Sequence, residues 1–493
     1  MNNISKILPI KKIEIPKFLT ISSMMLMIIF IYSVERIVKD TIVINEMGAE
    51  LISAIKLYGT LPSAVLAMII YTKLSNEINK TKIFHIFNSA FVSYFLIFSF
   101  ILAPNTEYIH MNLSSVKQNY PFLRYFVSII ENWSYSLYFI LAELWGSVML
   151  SLVFWQTANQ VFKIDEAKRL YPLFGLVAQL GMISSGKLLE LFSNKEVFQG
   201  GWQQSLEYIN LSVLIAACFL SALYWVLTNK LVSKDIINAE IIKSKKKKPG
   251  FIESLKHVFS SKYIALIVIL VLCYGVSINI VEGVWKAQAA AVYTDKQDYV
   301  RFMANLQTYT GYVCMVAMLT GSYILRLVSW KTAALFTPVM ILTTGTIFYV
   351  FSIYQVEIAG LMPFLSVAPI AIAVFIGLLQ NVLAKATKYA FFDSTKEMAY
   401  IPLDEALKSK GKAAADVIGG RLGKSGGALI QQFLLILALS FNPSISYLSP
   451  GQALISLSNI LFMIFIIVMF LWIFSVHLLA KEFDKITEDK FKK

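Results

Sequence analysis

The stretch that decides the fold prediction is SKGKAAADVIGGRLGKSGGALIQQ, residues 409–432. It begins basic, becomes a run of small residues around the cations Arg421 and Lys424, and leads into an apolar tract that ends near Phe441. Small residues allow neighbouring membrane helices, or a ligand, to approach a backbone closely. Charges within membrane spans usually mark a transport path. The stretch therefore predicts a membrane helix that places two cations where an anionic solute passes.

Two other interpretations of this stretch compete with a transport path. A P-loop requires Gly-x-x-x-x-Gly-Lys-Ser/Thr, and counting back from Lys424 places Ile418 where the first glycine should be. The spacing therefore argues against a P-loop. Close helix packing, with Lys424 extending to the membrane interface, stays open as an alternative.

The composition of the whole chain indicates a polytopic membrane protein. Of its 493 residues, 57% are hydrophobic and only 15% are charged, whereas soluble domains are about 25% charged. The net charge of +14 does not indicate nucleic-acid binding, because the cations lie between apolar segments and not in one stripe. The three cysteines, Cys218, Cys273 and Cys314, lie in apolar stretches and predict neither a disulfide framework nor a metal site.

Apolar segments of about 20 residues predict an all-α protein with about twelve transmembrane helices. They lie at residues 18–39, 51–73, 83–103, 134–158, 171–192, 208–228, 263–285, 304–325, 332–352, 363–384, 413–440 and 452–479. With both termini in the cytoplasm, most of the Lys and Arg residues fall in cytoplasmic segments, as the positive-inside rule requires.

A basic linker at residues 229–262 divides the chain into an N-terminal half, 1–228, and a C-terminal half, 263–493. Each half holds six predicted spans. Short segments of the first half resemble segments of the second half, and the distance along the chain between matching segments is nearly constant. One such pair is Leu180-Gly181-Met182 and Leu422-Gly423-Lys424. A duplicated six-helix unit is typical of major-facilitator-like transporters, whose substrate binds near the midplane between the halves.

Ionisable residues within the spans are the candidate site, because each is costly in a bilayer. Glu143 lies near the centre of its span, and Glu282 lies near the outer end of its own, beside Trp285 as a marker of the interface. Lys39 is either functional or part of an interfacial cluster, and Lys56 is expected to reach the outer interface. In an empty cavity the positive charges of Lys39 and Lys424 would balance the negative charges of Glu143 and Glu282. A polyanion that enters the cavity would bind the lysines in place of the glutamates.

The sequence contains no catalytic or cofactor-binding pattern. The four histidines are scattered, no dinucleotide fingerprint follows a strand, and no metal-ligand cluster is evident. We therefore predict no cofactor and no metal. A polytopic enzyme acting on lipid-linked substrates stays a remote alternative, and a channel would require a repeated pore pattern that a duplicated, monomeric chain does not need.

Several ordered motifs resemble the ATP/ADP translocase (nucleotide transporter) family of plastids and obligate intracellular bacteria. They are Ile37-Val38-Lys39-Asp40, Ala142-Glu143-Leu144-Trp145-Gly146, Val281-Glu282-Gly283-Val284-Trp285-Lys286, and the segment from Lys396 to Gly427. The resemblance covers nearly the whole chain. One departure is Glu35, directly before Arg36, where an acid is expected to alter substrate choice.

The resemblance implies a carrier of the bacterial inner membrane that imports host ATP in strict exchange for ADP. It also implies that Lys39, Glu143, Glu282 and Lys424 take part in transport. Members of the family differ in substrate, so transport of guanine or pyrimidine nucleotides, or proton-coupled uptake, stays open. The expected partners are ATP, ADP and the lipid bilayer. The motifs do not choose the base, the stoichiometry or the oligomeric state.

Overall fold

The computed structural model describes residues 10–232, 261–361, 368–403, 420–442, 448 and 451–491, and these residues form helices, turns and loops without a strand. Eleven of the described helices are long and apolar enough to cross a membrane. They are α1 (Lys12–Glu46), α2 (Leu51–Ser75), α3 (Thr81–Ile109), α4 (Trp133–Val161), α5 (Arg169–Phe192), α6 (Gly201–Leu231), α7 (Lys262–Val292), α8 (Lys296–Leu327), α9 (Trp330–Ile353), α10 (Pro369–Ala399) and α12 (Ser458–Thr487). The predicted all-α membrane architecture is confirmed.

The eleventh predicted span corresponds to a shorter helix, α11 (Gly420–Phe441). Its apolar part, Ser425–Phe441, is below the length of the other spans, and the predicted start at residues 413–419 lies outside the described residues. The twelfth predicted span begins as a separate short helix, Gln452–Ser456, before α12 starts at Ser458.

Three helices extend beyond the ends that hydropathy predicts. The first continues to Glu46 rather than ending at residue 39, and the seventh continues to Val292 rather than 285. The tenth, with a predicted end at residue 384, leads through a π-helical turn, Lys388–Phe392, into a last segment that ends at Ala399. Charged residues end an apolar window, but they do not end a helix whose charges are paired inside the protein. This difference moves several charges from an expected interface into the interior.

Glycines bring helices of the structure into close contact at two places. A Cβ at Gly186 of α5 would overlap Oγ1 of Thr308 on α8. On α11, a Cβ at Gly427 would lie 2.6 Å from Cβ of Asn279 on α7, and one at Gly423 would lie 3.3 Å from Cα of Gly275. The small residues of the 409–432 stretch therefore serve close helix packing in their described part.

The two faces of the bundle differ in how their ion pairs are arranged. We call the face at which α1 begins and α12 ends the terminal face, and the opposite one the distal face. Ion pairs described at the terminal face join helices of the same half, namely Lys17–Glu166, Arg169–Glu14 and Lys262–Glu482. At the distal face, Lys195–Asp298, Lys195–Asp295 and Lys296–Glu46 join opposite halves.

The distal face is closed further by polar contacts of the C-terminal half with Glu50, directly before α2, and with Ser53 of α2. The backbone N–H of Gly451 donates to Oε2 of Glu50 at 2.7 Å. Ser53 Oγ lies 3.2 Å from Oε1 of Gln432 on α11. Residues 51–55 of α2 are buried, whereas residues 65–70 toward the terminal face are half-exposed or exposed. The division of the chain into two halves stays a prediction, and most of the linker, residues 233–260, lies outside the described residues.

Candidate functional site

A cluster of charged side chains lies deep in the helices where the two halves meet. It is built from Lys39 and Asp40 of α1, Glu143 of α4, and Glu282 and Lys286 of α7. Buried charges are stable only when they are paired and hydrogen-bonded. Each of these residues has an ionic partner in the cluster, so the cluster is an electrostatic unit and not a set of separate surface charges.

Lys39 is the most deeply buried cation of this cluster, with a side chain only 3% exposed. Its Nζ lies 2.7 Å from Oδ1 of Asp40 and 3.8 Å from Oε2 of Glu143, and it also sits 3.8 Å from the ring centroid of Phe139. The interfacial alternative for Lys39 is therefore wrong. The buried apolar residues Ile42, Val43 and Ile44 continue α1 beyond Lys39.

Glu143 reaches the cluster from the other side of the N-terminal half. Its side chain is 22% exposed, the most open carboxylate of the cluster. The helix becomes π-helical directly after it, over Gly146–Phe154, a distortion that is common at functional sites. A Cβ at Gly146 would lie 2.7 Å from the ring of Tyr32, so α1 and α4 approach closely here. This close approach brings Glu143 within reach of Lys39.

Glu282 belongs to α7 and bonds to both halves. Its Oε1 lies 3.1 Å from the guanidinium of Arg36 on α1 and 2.8 Å from Nζ of Lys286. The neighbouring Trp285 does not mark an interface, which corrects the sequence-based interpretation. It is 1% exposed, and its indole N–H donates to the carbonyl of Val374 at 2.8 Å.

Lys286 and Asp40 form the contact that sequence reasoning missed. Nζ of Lys286 lies 2.9 Å from Oδ2 of Asp40, and both side chains are 7% exposed. Both residues appear in the motifs that carry the family resemblance, but hydropathy assigns them to helix ends. The i, i+4 spacing of Glu282 and Lys286 is the sequence signal that indicates that Lys286 lies beside Glu282, since this spacing places both residues on one face of α7.

Lys56 and Lys385 extend the basic lining of the site. The expectation that Lys56 reaches the outer interface is wrong, because its Nζ donates to Oδ1 of Asn279 on α7 at 3.1 Å, in a partly buried position. It lines a narrow cleft together with Ser53, Asn279, Glu282, Lys286 and Gln431. Lys385 of α10 has Arg36 and Glu282 as electrostatic neighbours, although hydropathy assigns it to a cytoplasmic segment.

The cations Arg421 and Lys424 lie in α11, but their side chains fall outside the described residues. Their role in binding an anion therefore stays a prediction. The backbone of this part of α11 is packed on α7 through Gly423 and Gly427, and Gln431 donates to the carbonyl of Asn279 at 2.7 Å. The helix that carries both cations thus borders the helix that carries Glu282 and Lys286.

Glu35 belongs to a different polar network inside the N-terminal half. Its carboxylate is fully buried and accepts a hydrogen bond from Tyr138 Oη at 2.6 Å. Tyr138 in turn contacts Asn210 of α6, whose Nδ2 donates to Ser99 Oγ at 2.6 Å. The observed partner of Glu35 is thus a residue of the helical interior, and the expectation that this acid alters substrate choice has no support in the described contacts.

The chemistry of the cluster suits a multivalent anion. Among the described side chains, five basic residues gather around three carboxylates: Arg36, Lys39, Lys56, Lys286 and Lys385 around Asp40, Glu143 and Glu282. Lysine and arginine bind phosphate oxygens as charged donors. Within the described part of the chain no group of three or more His, Cys, Asp and Glu residues is arranged to hold a metal ion.

Comparison with known proteins identifies relatives over the whole length of the chain. The profile of a family described as "TLC ATP/ADP transporter" matches residues 2–483. ADP,ATP carrier protein 1 of Rickettsia prowazekii (strain Madrid E) is 42% identical over 487 residues, which cover 97% of this chain and 95% of the relative. ADP,ATP carrier protein 4 of Rickettsia conorii (strain ATCC VR-613 / Malish 7) is 40% identical and covers 96% and 93%.

Solved structures with the same fold are transporters of the major-facilitator type. A bacterial homologue of the iron transporter ferroportin, in an inward-facing state, matches with a TM-score of 0.61 at 11% identity and covers 97% of this chain and 99% of its own. A bacterial homologue of the lysosomal transporter Spinster, inward-facing and unoccupied, matches with a TM-score of 0.53 at 10% identity and covers 96% and 98%. The predicted major-facilitator-like fold is confirmed.

Proposed function

The chain belongs to the TLC ATP/ADP transporter family, and from that premise we propose that it exchanges ATP for ADP across a membrane by alternating access. As a member of this family it is a multi-pass membrane transporter and not an enzyme. The observation that supports the proposed exchange is the basic cluster between the halves, whose excess of cations suits the phosphate chain of a nucleotide.

Each predicted site residue has a role in this proposal. Lys39 binds a phosphate oxygen when substrate enters, together with Arg421 and Lys424 of α11. Glu143 and Glu282 hold the basic side chains in position while the site is empty. This division of roles is supported by the Lys39–Glu143 distance of 3.8 Å and by the contacts of Glu282 with Arg36 and Lys286.

The exchange proceeds by moving the two six-helix halves about the cluster, with residues 1–228 as one half and 263–493 as the other. Ionic contacts at the distal face, Lys195–Asp298 and Lys296–Glu46, join these halves, whereas those described at the terminal face do not. We place both termini in the cytoplasm, following the positive-inside rule. In that orientation the site of the present conformation opens toward the cytoplasm.

We place the carrier in the bacterial cytoplasmic membrane and assign it the import of host ATP against spent ADP. Support comes from the relatives of Rickettsia, whose names describe ADP,ATP carriers. The duplicated architecture provides both halves of the site within one chain, so we propose that a monomer transports. No hydrolysis step is needed, because gradients of the two nucleotides drive the exchange.

The test is uptake of labelled ATP into proteoliposomes that hold the purified protein, with and without ADP inside. Fast uptake that requires internal ADP is the expected result. Uptake into empty vesicles that rises with an imposed proton gradient would replace exchange with proton-coupled uptake. Absence of ATP uptake, together with uptake of GTP, UTP or CTP, would contradict the assignment of ATP and ADP as substrates.

A further inference from the structure

Four charges on α1 and α7 form a closed arrangement between the two halves, which we call the charge square. Arg36 and Asp40 lie one turn apart on α1, and Glu282 and Lys286 lie one turn apart on α7. Both helices run from the terminal to the distal face. Arg36 therefore faces Glu282 at 3.1 Å, and Asp40 faces Lys286 at 2.9 Å. A third contact, Lys286 to Glu282 at 2.8 Å, links the two levels.

The charge square is buried on the distal side, where it resists separation of the halves. Asp40 and Lys286 are 7% exposed, and the distal contacts through Glu50 and Ser53 cover the cluster from that side. Moving α1 away from α7 would break both contacts that cross between these helices, Arg36–Glu282 and Asp40–Lys286, in a site of low polarity. Breaking a buried pair without replacing a partner is strongly unfavourable. The empty carrier is therefore held closed at its distal face.

Each carboxylate of the square has a second cation within its own half. Asp40 lies 2.7 Å from Lys39, its neighbour on α1. Glu282 has Lys385 of α10 among its electrostatic neighbours. When the halves separate, both acids retain a partner in their own half. Arg36 and Lys286 then each lose the carboxylate of the opposite half: Arg36 loses Glu282, and Lys286 loses Asp40 and shares Glu282 with Lys385.

We propose that Arg36 and Lys286 form a phosphate-binding position that Glu282 and Asp40 occupy in the empty carrier. A nucleotide polyphosphate replaces these carboxylates and leaves them with Lys39 and Lys385. Distal opening then proceeds with every buried charge paired. This inference rests on the proposed nucleotide exchange. It explains why uptake of one nucleotide requires release of another, because an empty carrier cannot reopen at the distal face. A ligand shifts such an equilibrium only through contacts that differ between the two states.

The decisive variant removes one pair of the square without leaving a charge behind, Asp40→Asn combined with Lys286→Gln. Proteoliposomes are loaded with labelled ATP and diluted into medium with or without ADP. Wild-type protein should release label only when ADP is outside. The double variant should release label into nucleotide-free medium about tenfold faster than wild type, because its halves separate without a polyphosphate. Lys187→Gln is the matched control, since Lys187 pairs with Glu190 on the surface of α5, and it should stay strictly coupled.

The outcomes separate this inference from the proposed function. If wild-type protein shows no ADP-dependent release of ATP, the proposed exchange is wrong. If wild type exchanges and the double variant stays as strictly coupled as wild type, the charge square does not cause the coupling. Folding of the variants is checked by size-exclusion chromatography and by thermal unfolding of the detergent-solubilised protein without ligand. The single variant Lys286→Gln should bind inorganic triphosphate several-fold more weakly than wild type, and unchanged binding would contradict the phosphate position.

Discussion

The distal and terminal faces of this carrier are built from the same kinds of residues but connect different parts of the chain. At the distal face, Lys195 and Lys296 bridge to the opposite half. At the terminal face, Lys17 and Lys262 bridge within their own half. In the proposed movement of the two halves, contacts that cross between them must break, whereas contacts within a half travel with it. On that proposal, the location of the crossing contacts indicates which side of the molecule opens next.

The largest expected difference between these two kinds of contact is in stability. Asp40→Ala leaves Lys286 and Lys39 short of a buried partner, and removing one member of a buried pair costs about 3–5 kcal/mol. Glu166→Ala removes a partly exposed within-half pair with Lys17, and such pairs contribute about 1 kcal/mol or less. Thermal unfolding of both variants in detergent provides the comparison. Equal losses of stability would contradict the distinction.

Glycine substitutions compare the packing of the two interhelical contacts. Gly427→Ala would place a methyl group 2.6 Å from Cβ of Asn279, and overpacking of this kind costs about 1–3 kcal/mol. Gly175→Ala of α5 would meet only Cε of Met318, at 2.9 Å, and a flexible methionine can move aside. Unfolding temperatures should fall clearly for the first variant and little for the second. A larger effect of the Gly175 variant would show that the α5–α8 contact is the rigid one.

Glu143→Gln tests a within-half contact that nevertheless belongs to the site. The substitution keeps the shape of the side chain and removes the charge opposite Lys39. Exchange of labelled ATP should slow by about tenfold, equivalent to about 1.4 kcal/mol, while stability changes less than in Asp40→Ala. Glu190→Gln on the surface of α5 is the matched control. An unchanged exchange rate in Glu143→Gln would remove this residue from the site.

Two acids outside the spans predict opposite responses of the faces to pH. Burial raises the pKa of Glu50 at the distal face, despite the N–H of Gly451. Burial alone would also raise the pKa of Glu166, but hydrogen bonds from Lys17 and the Lys163 N–H outweigh it and lower that pKa. Protonation of Glu50 therefore favours the closed distal face. This contribution to the stability of the closed face is lost as pH rises through the raised pKa of Glu50. The Glu166 contribution is present above its ordinary pKa and is lost as pH falls through its lowered pKa.

Of the effects predicted here, the effect of Glu50 should be the smallest: a few-fold change of the exchange rate with pH. We expect the rate of distal opening to increase with rising pH in wild-type protein and to lose this part of its pH dependence in Glu50→Gln. The measurement is the initial rate of exchange with external pH varied at constant internal pH. An identical pH profile in both proteins would exclude Glu50 as a determinant of distal closure.

Much of the fold was readable from the sequence, because hydropathy and charge distribution are properties of single segments. The site was readable in part. Lys39, Glu143 and Glu282 stand out as unusual charges, and the structure brings them into one cluster. The pairing of Asp40 with Lys286 was not readable, since it depends on the register between α1 and α7 in opposite halves. The prediction that Trp285 marks the interface was wrong. In the sequence, an aromatic residue near a predicted helix end has the same pattern whether it lies at an interface or, as here, in the interior.

The most direct test of nucleotide-driven distal opening is a distance measurement across the distal face with and without nucleotide. Cysteines replace Ser53 of α2 and Gln432 of α11, whose side chains touch at 3.2 Å, in a background that lacks the three native cysteines. Oxidative cross-linking should be fast in the empty carrier and several-fold slower with saturating ADP or ATP, because polyphosphate permits the halves to separate there. A cross-linking rate that nucleotides leave unchanged would contradict the claim that substrate binding opens the distal face.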